Sequence, residues 1–242
     1  MAEENSIRIN KYLSEVGFCS RRAADILLEQ NRITINGKIP ELGTKVFPRD
    51  EVRVDGKLVG KPKQNHVYIA FNKPVGIVST TDTKGEKDNI IDYIGHKDRI
   101  FPIGRLDKES EGLILLTSEG DIVNKILRSK NNHEKEYVVT VDRPITEGFI
   151  QRMSSGIPIL GTITNPCKVE RLNRFKFKII LTQGLNRQIR RMCEYLGYNV
   201  KQLKRIRIMN IHLDLPVGKW RDLTEKELAV LNESIQDSSK TI

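Results

Sequence analysis

Apolar residues near the start of the chain recur at three- and four-residue intervals: Ile9, Tyr12, Leu13 and Val16, followed by Gly17. This spacing predicts a short amphipathic helix stopped by a residue that tolerates left-handed backbone. Ser20 is a good N-cap for a second helix with Ala23, Ala24, Leu27 and Leu28 as its apolar stripe and Arg21, Arg22 and Asp25 near its start. The period then shortens to two. Ile33-Thr34-Ile35 runs into Asn36-Gly37, and Val52-Arg53-Val54 into Asp55-Gly56, so each strand ends in a dipeptide that favours a tight hairpin turn. Gly60 to Asn65 has no periodicity and reads as a linker, which divides the chain into domains 1–62 and 63–242.

Beyond the linker, Val67 to Phe71 predicts a strand ended by Asn72-Lys73-Pro74-Val75-Gly76, with Ile77 to Thr81 as its neighbour. Gly112 to Thr117 is a continuous apolar run, the pattern of a buried strand, and Asp121 stands where it could cap a helix with Ile122, Val123, Ile126 and Leu127 inside. Tyr137 to Val141 predicts a strand and Thr146 to Met153 a short helix. Phe175, Phe177, Ile179 and Leu181 share one face of another strand, with Lys176 and Lys178 opposite. Ile189, Met192, Cys193 and Leu196 form the buried face of a helix capped by Asn186, which sends Arg187, Arg190, Arg191 and Glu194 to the other side. Thr224 and Glu227 form a capping box with Leu223 and Leu228 as its staple. Strands outnumber helices, and the tail from Ser238 to Ile242 is expected to lack order.

No apolar run approaches the roughly 18 residues of a membrane span, and the polar, acidic start from Met1 to Ser6 is not a signal peptide. No membrane association and a cytoplasmic location are therefore expected. Three scattered cysteines (Cys19, Cys167, Cys193) and four dispersed histidines (His66, His96, His133, His212) give no metal-ligand spacing, so no metal is expected. The formal charge is +10, and it is concentrated: Lys168 to Arg207 holds twelve basic and two acidic residues, a net +10. Such a block fits a polyanionic partner.

Two stretches carry candidate chemistry. In Phe101-Pro102-Ile103-Gly104-Arg105-Leu106-Asp107-Lys108, Pro102 restricts and Gly104 releases the backbone, so Arg105-Leu106-Asp107 is a sharp non-helical segment before a strand. An acid there either caps a turn or does chemistry. In Gly184-Leu185-Asn186-Arg187-Gln188-Ile189-Arg190-Arg191-Met192, three arginines crowd a helix start, where they repel one another and oppose the dipole unless phosphates or a carboxylate complete them. Arg21 and Arg22 pose the same question at their own helix start.

Together these stretches resemble the RsuA family of pseudouridine synthases, over almost the whole chain. The longer runs Phe-Pro-Ile-Gly-Arg-Leu-Asp, His-Glu-Lys-Glu-Tyr (133 to 137) and Ile-Pro-Ile-Leu-Gly-Thr (157 to 162) are most similar to its RluF-like subfamily. The first 62 residues resemble an S4 RNA-binding domain. The resemblance implies an α+β protein: a small N-terminal S4-like RNA-binding domain and a catalytic domain with a mixed, mostly antiparallel sheet. It implies isomerisation of uridine to pseudouridine in large-subunit (23S) ribosomal RNA, with a tyrosine tRNA anticodon loop as a second substrate. No cofactor is expected, since product and substrate are isomers, and the protein is expected to act as a monomer.

By motif, Asp107 is the catalytic aspartate, as nucleophile or as base at the sugar. Arg190 is the arginine paired with it in a planar fork, and Tyr137 the ring packed on the flipped uracil. Leu203 closes the uracil pocket, and Arg105 holds the place of the extruded nucleotide. Leu106, Lys108, Arg187, Gln188, Ile189 and Arg191, with Arg21 and Arg22 in the N-terminal domain, are expected at the RNA. Two rivals remain: a non-catalytic RNA-binding ribosome assembly factor, and a glycoside hydrolase pairing Asp107 with Glu109 or Glu111.

Overall fold

A computed structural model describes residues 6–61, 65–128 and 131–238. It divides into two compact units, Met1–His66 with Ser118–Gly120, and Val67–Thr117 with Asp121–Ile242. The boundary expected between residues 62 and 63, and all of the tail beyond Ser238, lie outside the described residues.

The first unit runs β1 (Ile7–Arg8), α1 (Ile9–Glu15), α2 (Arg21–Glu29), β2 (Ile33–Ile35), β3 (Lys45–Val46), β4 (Val52–Val54) and β5 (Lys57–Leu58). Gly17 ends α1 at φ 81°, and Ser20 Oγ accepts the Ala23 N–H at 3.1 Å to cap α2. Ile9, Leu13, Ala24, Leu28, Ile33, Val46, Val52 and Val54 form its core. Both expected turns have positive φ at Asn36, Gly37, Asp55 and Gly56. Only Asp55-Gly56 joins two strands of one ladder, β4 and β5. Asn36-Gly37 closes a single bridge, Ile35 to Lys38, and β2 pairs with β4 instead. Arg21 and Arg22 are exposed on α2.

The second unit continues with β6 (Tyr68–Lys73), α3 (Ile90–Ile94), β7 (Phe101–Ile103), β8 (Glu111–Thr117), α4 (Gly120–Leu127), β9 (Lys135–Val141) and α5 (Glu147–Ser155). There follow β10 (Pro158–Ile159), β11 (Thr162–Ile163), β12 (Lys168–Arg171), β13 (Lys176–Leu181) and α6 (Gln188–Tyr195). The chain ends with β14 (Val200–Ile208), β15 (Ile211–His212), β16 (Trp220–Asp222) and α7 (Glu225–Ser234). Among the described residues nine strands form one sheet, in the order β12-β13-β9-β14-β8-β6-β16, with β7 on β8 and β15 on β14. Every neighbouring pair is antiparallel except β14 and β8, so the mixed, mostly antiparallel sheet implied by the resemblance is the sheet observed.

Strand alternation distributes apolar side chains to two layers. Ile69, Phe71, Ile114, Leu116, Val139 and Phe177 join one core with residues of α3, α5 and α6. Ala70, Leu113, Leu115 and Ile208 join another with α4 and α7. The capping box starts α7 as expected, with Thr224 N–H donating to Glu227 Oε2 at 2.8 Å and Glu227 N–H to Thr224 Oγ1 at 3.2 Å.

Three expectations need correction. β6 runs on through Asn72 and Lys73, which are buried. Ile77 to Thr81 is not its neighbouring strand; that stretch makes one bridge, Val78 to Asn89, and β8 lies beside β6 instead. The turn at Pro74-Val75-Gly76 carries the chain toward the Asp107 loop, where Gly76 N–H donates to the Lys108 carbonyl at 2.8 Å. Asp121 sits in the first turn of α4, which starts at Gly120, and is not its cap.

The parallel pairing of β14 with β8 depends on Gly112. Its φ is +111°, and a Cβ there would lie 2.7 Å from the Arg205 backbone nitrogen and closer to its carbonyl oxygen. Gly112→Ala is expected to lower the unfolding free energy by about 2–5 kcal/mol, combining backbone strain and overlap. Urea denaturation measures it, and a loss below about 0.5 kcal/mol, the range of neutral surface changes, would show that the two strands can part at no cost.

Candidate active site

The loop between β7 and β8 is pinned on both sides of Asp107. Gly104 turns at φ 80°, a conformation that strains any residue with a side chain, and a Cβ there would also push on Leu127 Cδ2 at 2.8 Å. Leu106 is buried; its N–H donates to Ser79 Oγ at 3.2 Å, and the Ser79 hydroxyl donates back to the Leu106 carbonyl at 3.0 Å. Ser110 N–H donates to the Asp107 carbonyl at 3.0 Å. The Asp107 side chain, 32% exposed, stands at a cleft of about 430 Å³.

This cleft brings together Arg105, Leu106, Asp107, Tyr137, Arg187, Gln188, Ile189, Arg190 and Leu203. Lys108 lies outside it, 3.7 Å from Glu86 and 3.8 Å from Asp88, in a second groove of about 730 Å³ that shares the loop. Arg191 also stays outside. Its Nε and Nη2 donate to the backbone carbonyl and Oδ1 of Asn186 at 3.1 and 3.2 Å. Arg21 and Arg22 belong to the other unit.

The helix α6 departs from its expected form in two ways. Asn186 is not the cap: Arg187 takes the N-cap position in left-handed backbone, φ 51° and ψ 34°. Arg190 is 8% exposed, because its side of α6 turns toward the Asp107 loop. Its Nη2 donates to Ser110 Oγ at 3.1 Å and to the Glu109 carbonyl at 3.3 Å, and its Nη1 to the Val200 carbonyl at 3.4 Å. The expected two-pronged fork with Asp107 is therefore absent. A single nitrogen, Nε, faces Asp107 Oδ2 at 3.7 Å, beyond hydrogen-bond length, and it is buried with no hydrogen-bond partner among the described residues.

Arg187 binds both oxygens of Glu109 at 2.9 and 3.0 Å and lies 3.8 Å from Asp107 Oδ2. Glu109's own backbone N–H, and then Arg187, hold its carboxyl below the usual range despite some burial. Glu109 therefore lacks the raised pKa that a general acid requires, which removes support for a glycoside hydrolase that pairs it with Asp107. Glu111 lies 3.4 Å from Lys204. Gln188 braces the turn before α6, its Oε1 accepting the Leu185 N–H at 3.0 Å, while Ile189 belongs to the core.

The floor is built by β9 and β14. Tyr137, 9% exposed, is paired across the ladder with Arg205, and Leu203 with Val139. The Arg205 guanidinium carbon lies 5.9 Å from the Tyr137 ring centroid. Lys135, two residues before Tyr137 on the same strand, lines the cleft with it. Sequence reasoning missed Lys135 and Arg205, although strand alternation from Tyr137 and Leu203 placed both on the same face. It also missed Lys73, which is fully buried and donates to the Pro74 and Ile77 carbonyls at 2.8 and 2.7 Å. Among the described residues no three His, Cys, Asp or Glu side chains gather as a metal site, and no helix is long and apolar enough to cross a membrane.

With this geometry in view, the chain can be set beside known proteins. Residues 67–195 match the RNA pseudouridylate synthase family and residues 7–52 the S4 domain. The dual-specificity RNA pseudouridine synthase RluF of Escherichia coli (strain K12) is 57% identical over 244 residues, covering 100% of this chain and 84% of that protein. The ribosomal large subunit pseudouridine synthase B of Bacillus subtilis (strain 168) is 34% identical, over 91% of this chain and 93% of its own. A crystal structure of a pseudouridylate synthase superposes with TM-score 0.68 at 29% identity, covering 93% of this chain and 99% of that one. The chain belongs to the RNA pseudouridine synthases, enzymes that isomerise uridine to pseudouridine within RNA. Within that class it falls in the RsuA family, close to RluF.

Burial pushes Lys73 down to about 8, the Asp107 charge opposing and Arg205 assisting. Burial, with Arg205 acting in the same direction, does the same to Lys135. Each lysine thus binds fewer protons folded than unfolded between about pH 8 and its ordinary value near 10.5. Its contribution to stability rises through that window, and the full cost of burying its charge is present below it. NMR titration of the lysine side-chain nitrogens should show two midpoints near pH 8, lost one each in Lys73→Gln and Lys135→Gln. Midpoints above 10 for both would contradict the burial of charged amines.

Proposed function

We propose that this protein isomerises a uridine of large-subunit (23S) ribosomal RNA to pseudouridine, with Asp107 acting at the ribose. The observation that carries this reading is the meeting of Asp107, Arg190, Tyr137 and Leu203 in one cleft. The Asp107 carboxylate faces the buried Arg190 guanidinium across 3.7 Å, a placement that suits either a nucleophile or a base at the sugar. Tyr137 offers a face for the base. A uracil cannot be turned about while stacked in a helix, so the nucleotide must be flipped into the cleft. Arg105, exposed at the cleft beside Leu106, is suited to hold the vacated place, and Arg187 and Arg191 to meet phosphates.

In this reading residues 1–62 form an RNA-binding domain, using Arg21 and Arg22, and residues 63–242 the catalytic domain of a cytoplasmic monomer that needs no cofactor. Large-subunit RNA is favoured by the name of the Bacillus subtilis relative. The dual specificity in the name of the Escherichia coli relative favours a second substrate, for which the tyrosine tRNA anticodon loop is the candidate from sequence resemblance. A non-catalytic assembly factor would share the basic surface but has no need of the pinned carboxylate.

Pseudouridine is mass-silent but reacts durably with carbodiimide and stops reverse transcription. Incubating the protein with unmodified 23S RNA and with unmodified tyrosine tRNA should give one new carbodiimide-dependent stop in the first and one in the anticodon loop of the second. A stop in tRNA alone would overturn the ribosomal assignment, and no stop in either would favour the assembly factor.

A further inference from the structure

Arg205 is 3% exposed and lines the cleft. Its Nε donates to the Leu113 carbonyl at 2.6 Å, while its Nη2 is buried with no hydrogen-bond partner among the described residues. Lys135, 6% exposed, lines the same cleft and donates to the His133 carbonyl at 3.2 Å. Neither makes an ion pair among the described residues. Two buried cations lining one cleft, one with an idle donor, carry a desolvation and repulsion cost that an electron-rich occupant of the cleft offsets.

We propose that Arg205 and Lys135 form a cationic floor that binds a carbonyl oxygen of the uracil and stabilises the base as an anion after it leaves C1′. This inference rests on the pseudouridine synthase reading above. When the N1–C1′ bond breaks, both bonding electrons go to N1. At the sugar the charge is balanced either by a bond from the Asp107 carboxylate to C1′ or by loss of a ribose proton to Asp107. The detached ring carries one negative charge, spread by conjugation over N1, both carbonyl oxygens and C5. C5 then returns an electron pair to C1′ as the Asp107 bond breaks, or as the ribose proton returns. The proton lost from C5 is matched by one gained at N1, so no oxidant or co-reactant is needed.

A neutral carbonyl accepts a hydrogen bond from the floor weakly, and the anion accepts it strongly, so the floor acts most where charge develops. Buried donors already in position need no reorganisation at that moment. Arg205 also flanks the Tyr137 ring at 5.9 Å, which sets the idle donor beside the aromatic residue expected to hold the base.

The test uses the full chain with a minimal RNA substrate carrying uridine or 5-fluorouridine at the target. Fluorine makes the departing base a weaker proton acceptor and so less dependent on external stabilisation of its charge. Single-turnover loss of the N-linked nucleoside is followed at saturating enzyme, with RNA affinity measured separately. Arg205→Gln is expected to slow uridine by about 100-fold to 1,000-fold and Lys135→Gln by about tenfold or more, with affinity changed less than about threefold. Both deficits should shrink several-fold with 5-fluorouridine. Equal deficits for the two bases would reduce the pair to a structural role. Lost affinity with an unchanged saturated rate would mean that the floor holds a backbone phosphate instead. Either result overturns the proposal, as do wild-type rates. Should Arg205→Gln fail to fold, judged by circular dichroism, Lys135→Gln decides by the same criteria. An inactive wild-type protein would refute the underlying reading and not this inference.

Discussion

The guanidinium of Arg190 donates to Ser110 Oγ and the Glu109 carbonyl on the Asp107 loop and to the Val200 carbonyl at the start of β14, while its Nε faces Asp107. One buried group thus ties α6 to the Asp107 loop and to the start of β14, all of which line the cleft. Three of its donors go to the protein, so the distance to Asp107 is set by the scaffold and not by the ion pair. Ser79 and Gly76 complete the restraint from the opposite side of the loop. A carboxylate held this way loses little entropy when a substrate arrives, which is how positioning lowers a barrier.

The electrostatics follow from that arrangement. Arg105, Lys135, Arg187, Arg190 and Arg205 line one cleft with Asp107 among them, and Lys73 lies buried within reach of the Asp107 charge. Long range, this excess attracts a polyanion. Short range, the cations differ in task because they differ in exposure. Arg105 reaches solvent, Arg187 is already occupied by Glu109, and Arg205 keeps a buried donor idle. The Glu109 contact also means that an RNA phosphate meets Arg187 only in competition with a carboxylate already in place.

Much of this was legible in the sequence where one local rule decides. Gly17, Ser20, Asp55-Gly56 and the Thr224–Glu227 box set turns and caps through their own backbone needs, and each stands in the structure where spacing put it. The loop Arg105-Leu106-Asp107 was likewise readable from Pro102 and Gly104. What failed depended on tertiary context. Periodicity placed Arg190 on the polar side of α6 but could not say that this side faces another loop. Asn186 looked like a cap because Asn often is, yet left-handed backbone at Arg187 moved the helix start by one residue. Lys73 was placed in the segment that ends a strand, and Lys135 and Arg205 were not singled out, since burial of a cation is legible only once the sheet around it is known.

The central claim is that the pinned carboxylate of Asp107 does the chemistry while the rest of the cleft holds and charges the base. Asp107→Asn tests it most directly, because the amide keeps the shape but can neither attack C1′ nor take a ribose proton. Single-turnover conversion of the RNA at saturating enzyme, with affinity measured in parallel, should show turnover abolished and binding nearly unchanged. Product formed above the uncatalysed background by Asp107→Asn would contradict the account.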